Sequence, residues 1–342
     1  MDTPAPTDRF VLYGGLGSPY SMKVRAVLRY QRIPHDWVQL GTPGAPDALA
    51  RVKVPVIPVL RFPDGRHAND STPLILELDE RFAGARRVVP DDPAQAFLAR
   101  LLEDMADEWG TKAMFLYRWL RERDQKTTSE WLAFDRLAGS GLDAILDHAT
   151  RFRDRQVGRM ALVGCTQANA PLVEASNDRV MALLEAHVTG ERFLFGSRPS
   201  IADFGWMGQL SQLANDPTPA EHLRANFPYL YRWLMHLEDL SGVEGEWRDP
   251  QAPTSPAVAG LLAVAAEVYL PFLQANAAAV AAGQETFAFE AWGMRYEQGT
   301  FKYQVRCLAQ LRALYRALPP AARERVDADL PSAARTALAQ TD

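Results

Sequence analysis

Between residues 9 and 82, short apolar runs alternate with segments of helical periodicity. The pattern predicts a strand, a helix, a second strand, a hairpin and a second helix, at residues 10–13, 21–32, 37–40, 56–65 and 71–82. Ser71 precedes Pro73 at the start of the last helix, a combination typical of a helix N-terminus. This alternation favours a parallel or mixed sheet covered by helices.

The rest of the chain shows helical periodicity and almost no strand signal. Residues 83–93 are rich in Ala, Gly, Arg, Pro and Asp and are interpreted as a linker to a helical domain at 94–248. Within that domain, Ser200-Ile201-Ala202-Asp203 has the pattern of a capping box and predicts a helix start. Three prolines within 249–256 indicate a second boundary, and residues 257–342 are expected to form a helical extension.

Composition narrows the class of protein. The 342 residues suit two or three domains, and the net charge of -5, without a basic block, gives no reason to expect a nucleic-acid partner. Only two cysteines occur, Cys165 and Cys307, and the six histidines lack metal-ligand spacing, so neither a disulfide framework nor a metal is expected. Residues 1–8 lack a signal-peptide core and the apolar stretch 258–280 is interrupted by polar residues, so we expect a cytoplasmic protein without a membrane span.

The turn Ser18-Pro19-Tyr20-Ser21 lies between the first predicted strand and the first helix. A group at a helix N-terminus meets free N–H donors and the positive end of the helix dipole, so a thiolate placed there is stabilised. A serine hydroxyl can also donate a hydrogen bond to that sulfur. The competing interpretation is that these serines only cap the helix.

Two more motifs follow in the same small domain. Ile57-Pro58-Val59-Leu60 precedes the predicted hairpin turn, and Asp70-Ser71 opens the second helix. Free amides at that helix start suit a carboxylate, and Asp70 suits an ammonium group. The competing interpretations are a trans proline at a strand start and a serine that is only an N-cap.

In this order and spacing, the motifs resemble those of the glutathione-transferase family. The resemblance covers roughly residues 9–248 and implies a thioredoxin-like α/β domain at 9–82 and an all-α C-terminal domain at 94–248. It further implies that Pro58 is cis, that Ile57 pairs with the backbone of glutathione, and that Asp70 and Ser71 hold the γ-glutamyl end. The extension at 257–342 lies outside the usual family length.

Catalysis is assigned by the same resemblance to the serine turn. Ser18 is expected to stabilise the glutathione thiolate, with Tyr20 and Ser21 as alternatives. Many transferases with a serine-type turn carry a basic residue two positions before the cis proline. Val56 occupies that position here, and Lys53 is the nearest basic residue for the glycine carboxylate.

An acceptor site is expected in the helical domain, on the helix that flanks the crevice in the family. Its candidate residues are Glu108, Lys112, Phe115 and Arg118. Glu108 and Lys112 stand at i and i+4, which places them on one helix face. The favoured competing interpretation is a solvated acidic face over 103–108 beside an aromatic core stripe.

The leading hypothesis is a glutathione transferase, a homodimer by resemblance, that conjugates glutathione to a small hydrophobic electrophile. Glutathione-dependent reduction and lyase chemistry are not separated from conjugation. A turn without cysteine disfavours dithiol exchange, and Ser18 lacks the elbow motif of a serine hydrolase. The alternative is a non-catalytic scaffold that docks a protein partner through its extension. That extension is interpreted as a packed appendage, in preference to a lid over the acceptor pocket or an oligomer contact.

Overall fold

The computed structural model describes residues 9–82, 84 and 86–340. The first part of the chain forms a four-stranded sheet covered by helices. Its elements are β1 (Phe10–Gly14), α1 (Pro19–Tyr30), β2 (His35–Gln39), α2 (Ala45–Ala50), β3 (Val59–Arg61), β4 (His67–Asn69) and α3 (Ser71–Arg81). The strand order is β2-β1-β3-β4, with β1 and β2 parallel and the other pairs antiparallel. The predicted mixed, thioredoxin-like sheet is therefore confirmed.

The second part is all helical, as predicted, apart from isolated bridges near its end. Its helices are α4 (Pro93–Met105), α5 (Thr111–Leu120), α6 (Glu122–Leu137), α7 (Leu142–Val157), α8 (Ala170–Val188), α9 (Ile201–Leu213), α10 (Pro217–Asn226) and α11 (Pro228–His236). A π-helical segment, Ala106–Gly110, joins α4 to α5. The capping box is present, because Ser200 and Asp203 each accept a hydrogen bond from the other's backbone N–H.

The extension is mostly helical but contains a hairpin that the sequence analysis missed. Its elements are α12 (Pro256–Val264), a π-helical segment (Ala265–Tyr269), α13 (Leu270–Ala281), β5 (Thr286–Ala291), β6 (Met294–Gly299), α14 (Lys302–Arg316), α15 (Pro320–Asp329) and α16 (Ser332–Ala339). The hairpin turns at Trp292-Gly293, where both residues have positive φ, 53° and 72°. Hairpin turns of this kind usually carry Asn or Asp at the first position, so Trp292 gave no signal.

The continuous helix Pro256–Ala281 is long and apolar enough to cross a membrane by length and composition, with a mean hydropathy of 1.7. Within the protein, 67% of that apolar window is buried, and Tyr269, Phe272 and Leu273 have no exposed surface. Burial against protein accounts for its apolar character. Residues 1–8, on which the expectation of no signal peptide depends, lie outside the described residues, as do 83 and 85 of the predicted linker.

Helix α9 joins the two domains through its contact with α1. Every residue of α9 is buried. A Cβ added at Gly208 would lie 2.7 Å from the carbonyl oxygen of Pro19 and 3.2 Å from Cβ of Lys23. Glycine at this position therefore allows the first turn of α1, which follows the serine turn, to lie directly on the helical domain.

Replacing Gly208 with alanine is expected to lower the free energy of unfolding by about 1–3 kcal/mol, because the backbone carbonyl of Pro19 cannot move away without shifting α1. The matched control is Gly242→Ala, since no atom lies within 4 Å of the added Cβ there. Urea unfolding followed by far-ultraviolet circular dichroism measures both variants. Equal unfolding midpoints for the two variants would contradict the close approach.

Candidate active site

The turn between β1 and α1 presents the Ser18 side chain at the start of a helix. Ser18 Oγ accepts a hydrogen bond from the N–H of Ser21 at 3.2 Å, so Ser18 is the N-cap of α1. Its backbone N–H donates to the carbonyl of Gly15 at 3.1 Å, which closes the turn. Within the described residues the Ser18 hydroxyl proton has no protein acceptor. Ser18 can therefore cap the helix and still donate a hydrogen bond into the adjoining cavity.

The helical domain holds this turn in place. Arg118 donates to the carbonyl of Gly17 at 2.9 Å and to Asp216 at 2.8 Å, and Gln212 donates to the carbonyl of Leu16 at 3.1 Å. Arg118 is only 3% exposed and also bonds to the Gln212 side chain. The expectation that Arg118 binds an acceptor is thereby corrected. Although it borders the cavity, its guanidinium is occupied in fixing the turn.

Two adjoining cavities meet at this turn. The apolar cavity, about 570 Å³, is lined mainly by Leu16, Pro19, Leu40, Met114, Phe115, Trp119, Leu132 and Phe152, with Ser18 at its edge. The acidic cavity, about 580 Å³, is lined by Lys53, Pro58, Asn69, Asp70, Ser71, Thr72, Asp104, Asp107, Glu108, Tyr303 and Arg306. Tyr20, Val56 and Ile57 border both. A ligand at Ile57 therefore reaches a charged chamber on one side and an apolar one on the other.

Ile57 carries an unpaired backbone N–H and C=O at this junction. The Ile57–Pro58 peptide bond is cis, as predicted. The strand β3 begins only at Val59, and no backbone or side-chain group of the described chain bonds to the Ile57 amide or carbonyl. Backbone groups left unpaired beside an open cavity are a place for an extended peptide to add by strand-like pairing.

The N-terminus of α3 opens on the acidic cavity. No side chain caps this helix, and the amides of Ser71 and Thr72 have no acceptor in the described part of the chain. Asp70 precedes them with φ 79° and ψ 112°, a backbone conformation that costs a non-glycine residue about 1–3 kcal/mol. Uncapped amides at a helix start favour an anion, whereas the neighbouring Asp70 favours a cation.

Behind the acidic cavity lies a buried cluster of charged side chains. Lys23 has no exposed surface and donates to Glu103, to Asp107 at 2.6 Å and to Thr72 at 3.4 Å. Burial by itself lowers the pKa of Lys23, but Asp107 and Glu103 outweigh it, so the pKa is raised and the ammonium stays charged. The favoured expectation of a solvated acidic face is wrong, because α1 and the extension cover these carboxylates.

Three carboxyl groups along this wall have raised pKa values. Burial raises the pKa of Asp104 to about 7, that of Asp107 to about 6 and that of Glu108 to about 8. Like charges add to the effect of burial on the pKa of Glu108, and Asp104 contributes more than Asp107. The wall therefore gains negative charge between about pH 6 and 8, the range in which these groups lose their protons.

The structure brings together most of the predicted glutathione residues. Ile57, Pro58, Asp70, Ser71 and Lys53 all line the acidic cavity, and Ser18 with Phe115 lines the adjoining apolar one. Their assigned roles stay predictions at this point. Among the described residues no group of three or more His, Cys, Asp or Glu side chains is arranged to hold a metal ion.

Four other predicted residues are placed differently from expectation. Ser21 has no exposed surface, and its side chain lies against Gly14 and lines neither cavity. The Tyr20 hydroxyl donates to the carbonyl of Asp107 at 3.0 Å, so it is already occupied. Glu108 lines the acidic rather than the apolar cavity, and the Lys112 ammonium bonds to the carbonyl of Val163 at 3.2 Å. The π-helical segment at 106–110 interrupts the i, i+4 register on which the pairing of Glu108 with Lys112 depended.

Sequence reasoning missed two groups that complete the site. Tyr303 and Arg306 line the acidic cavity from α14, more than 230 residues after Asp70. Lys23 was not among the predicted site residues, and it is wholly buried. The local pattern held no signal for either, because both depend on how distant helices pack.

Replacing Glu108 with glutamine is expected to reduce the loss of stability at alkaline pH. Its folded pKa of about 8 lies above the usual 4.5, so the stability it contributes is present below about pH 4.5 and is lost as pH rises through 8. Between pH 6 and 9 the wild type should lose about 3 kcal/mol more unfolding free energy than Glu108→Gln, because the folded pKa of about 8 lies two units above the lower pH. Urea titrations at both pH values measure this difference, with Glu324→Gln, an exposed position, as the control. Parallel pH profiles for Glu108→Gln and the wild type would refute the assignment.

Comparison with known proteins gives matches in both domains. Residues 12–86 match the N-terminal domain of glutathione S-transferase, and residues 170–234 match its C-terminal domain. Glutathione S-transferase U9 of Arabidopsis thaliana is 32% identical over 89 residues, which make up 25% of this chain. The chain spans 36% of the length of that curated relative.

Solved structures similar to this one include two bacterial proteins. A glutathione S-transferase of Methylobacterium radiotolerans, in complex with glutathione sulfonate, is 19% identical, with 72% of this chain and 98% of that chain covered and a TM-score of 0.42. The β-etherase LigF of Sphingobium sp. strain SYK-6 is 16% identical, with 74% of this chain and 98% of that chain covered and a TM-score of 0.48.

Since the two domain matches follow the family's order and fall on the thioredoxin-like and helical domains, the chain belongs to the glutathione S-transferase family.

Proposed function

We propose that the chain binds reduced glutathione along Ile57 and transfers it to an electrophile held in the apolar cavity. The observation that carries the proposal is the unpaired backbone of Ile57 between the two cavities. The cysteine of an extended tripeptide pairs there with the Ile57 N–H and C=O. In that position its γ-glutamyl end enters the acidic cavity and its sulfur points toward Ser18.

The charges of the acidic cavity support this orientation. The γ-glutamyl ammonium suits Asp70 and the carboxylate wall behind it, and the α-carboxylate suits the free amides of Ser71 and Thr72. Lys53 lines the same cavity, is exposed and has no ion-pair partner among the described residues. We assign it to the glycine carboxylate, in place of the basic side chain that Val56 lacks.

Ser18 supplies the chemistry at sulfur. Its hydroxyl donates to the thiolate, and the amides and dipole of α1 stabilise the same negative charge, so the thiol loses its proton to solvent near neutral pH. The thiolate then attacks the electrophilic carbon, a sulfur–carbon bond forms, and the leaving group departs with its electron pair. Placing the two reactants side by side contributes to the rate beyond the ionisation itself.

The apolar cavity defines the class of acceptor. Met114, Phe115, Trp119 and Phe152 form a floor suited to a small hydrophobic, preferably aromatic, electrophile. Reduction or lyase chemistry uses the same thiolate, and the product formed with each electrophile distinguishes them. The family resemblance further leads us to propose a cytoplasmic homodimer, which light scattering on the purified protein tests.

Replacing Ser18 with alanine is expected to lower kcat about 10- to 100-fold, because a hydrogen-bond donor to the thiolate is lost. The bound thiol should also titrate at higher pH, measured by thiolate absorbance at 240 nm in the glutathione complex. Ser18→Thr should restore both values, since it keeps the hydroxyl.

The control for this variant is Ser255→Ala, which removes the N-cap of α12 at a distance from both cavities. It should lose comparable stability, about 1 kcal/mol, with full turnover. Unchanged turnover and thiol titration in Ser18→Ala would contradict the catalytic role. Glutathione binding by the wild type without turnover on any electrophile would favour a binding protein instead.

Replacing Ser71 with alanine is expected to weaken glutathione binding several-fold and to leave the thiol titration of the bound peptide unchanged. The reason is that Ser71 lies at the γ-glutamyl end, whereas the sulfur lies at Ser18. Calorimetric titration gives the Kd, and the 240 nm absorbance gives the titration. A shifted thiol titration in Ser71→Ala would overturn the proposed orientation of the peptide.

A further inference from the structure

The first turns of α14 lie over the acidic cavity and are held there firmly. Asn276, wholly buried, donates to the carbonyl of Phe301 at 2.9 Å and accepts from its N–H at 2.9 Å. Gln304, 5% exposed, donates to Glu108 at 3.2 Å and accepts from Gln298. These bonds fix the start of α14 against α13 and β6 of the extension and against the helical domain.

Two side chains of α14 project from this anchored start into the cavity. The Tyr303 hydroxyl donates to Asp70 Oδ2 at 3.1 Å. Arg306, one turn later, stacks its guanidinium over the Tyr303 ring at 4.9 Å and lines the cavity. Asp70 and Arg306 line the same cavity, yet Arg306 forms no ion pair within the described residues. Its hydrogen-bond donors therefore remain available at the cavity mouth.

The charges that line the acidic cavity suggest a binding role for Arg306. Four carboxyl groups line the acidic cavity, but Asp107 is paired with Lys23, and Asp104 and Glu108, with pKa values of about 7 and 8, keep much of their proton near neutral pH. A γ-glutamyl group brings one ammonium and one carboxylate. The ammonium suits Asp70, and the carboxylate of the same group is then brought close to the charge of Asp70, which repels it unless a cation stands nearby. Of the two cations that line the cavity, Arg306 lies on the helix whose Tyr303 bonds to Asp70, whereas Lys53 lies before the cis proline.

We propose that α14 of the extension completes the glutathione site, with Arg306 pairing with the α-carboxylate of the γ-glutamyl residue and Tyr303 holding Asp70 against its ammonium. This inference rests on the proposed binding of glutathione. It differs from the alternative in which the extension closes over the acceptor pocket, because α14 lines the acidic cavity and no described residue of the extension lines the apolar one. Arg306 binds the ligand directly, and Tyr303 is a positioning residue.

The test compares glutathione with 4-aminobutanoyl-Cys-Gly, which lacks only the α-carboxylate. Calorimetric titration of the full chain should show that Arg306→Gln weakens glutathione binding about tenfold, as expected for loss of a charge-assisted contact. The same variant should bind 4-aminobutanoyl-Cys-Gly as the wild type does. Arg316→Gln, on the last turn of α14 and remote from the cavity, is the matched control and should bind both peptides normally.

Tyr303→Phe is tested with glutaryl-Cys-Gly, which lacks only the ammonium. The variant should bind glutathione about threefold more weakly, because Asp70 is no longer held, and should bind glutaryl-Cys-Gly as the wild type does. A merely structural role for the hydroxyl would weaken both peptides alike and would overturn the positioning role.

The outcomes separate this inference from the proposed function. The role of Arg306 is overturned if Arg306→Gln binds glutathione as tightly as the wild type does, or if the substitution weakens the binding of both peptides equally. Either result leaves the proposed binding of glutathione intact. Wild-type protein that gives no heat with glutathione overturns the proposed function, and this inference with it. Circular dichroism of each variant establishes that the exposed substitutions leave the fold unchanged.

Discussion

The buried ammonium of Lys23 ties the site to both domains. An unpaired lysine without exposed surface is costly, and removing one partner of such a buried pair typically costs about 3–5 kcal/mol. Its partners Glu103 and Asp107 belong to the helical domain, and Thr72 belongs to the start of α3. The same α1 carries Ser18 at its N-terminus. The cluster around Lys23 thus fixes the relative position of the turn at Ser18, the uncapped start of α3 and the buried carboxyl groups of residues 103–108.

Much of the fold follows from local pattern. The turn at Ser18 and the start of α3 were predicted because each depends on a few adjacent residues with special backbone needs, whereas the cis Pro58 was implied by the resemblance to the glutathione-transferase family. The hairpin in the extension was missed because Trp292 occupies a turn position with positive φ that usually takes Asn or Gly. Local propensities cannot show where the surrounding packing holds an unfavourable residue, such as Trp292, at a turn position with positive φ.

The site was predicted in its N-terminal half and not in the rest. Arg118 and Glu108 were correctly placed near the crevice, but their partners, the carbonyl of Gly17 and the side chain of Gln304, are about 100 and 200 residues distant in the chain. The acidic run looked like a solvated face because nothing in its own sequence shows that the extension covers it. Coverage raises the pKa values of Asp104 and Glu108 to about 7 and 8, so these groups change charge near neutral pH.

The claim that glutathione pairs with the unpaired backbone of Ile57 has a direct test. The chain holds five isoleucines, at positions 33, 57, 75, 145 and 201, so protein labelled with ¹⁵N-isoleucine gives five amide resonances. An Ile57→Val variant assigns the one of interest. On saturation with reduced glutathione, we expect the Ile57 amide to shift and its hydrogen exchange to slow, while Ile145 and Ile201 stay unchanged. An Ile57 amide that neither shifts nor gains protection at saturating glutathione would contradict the account.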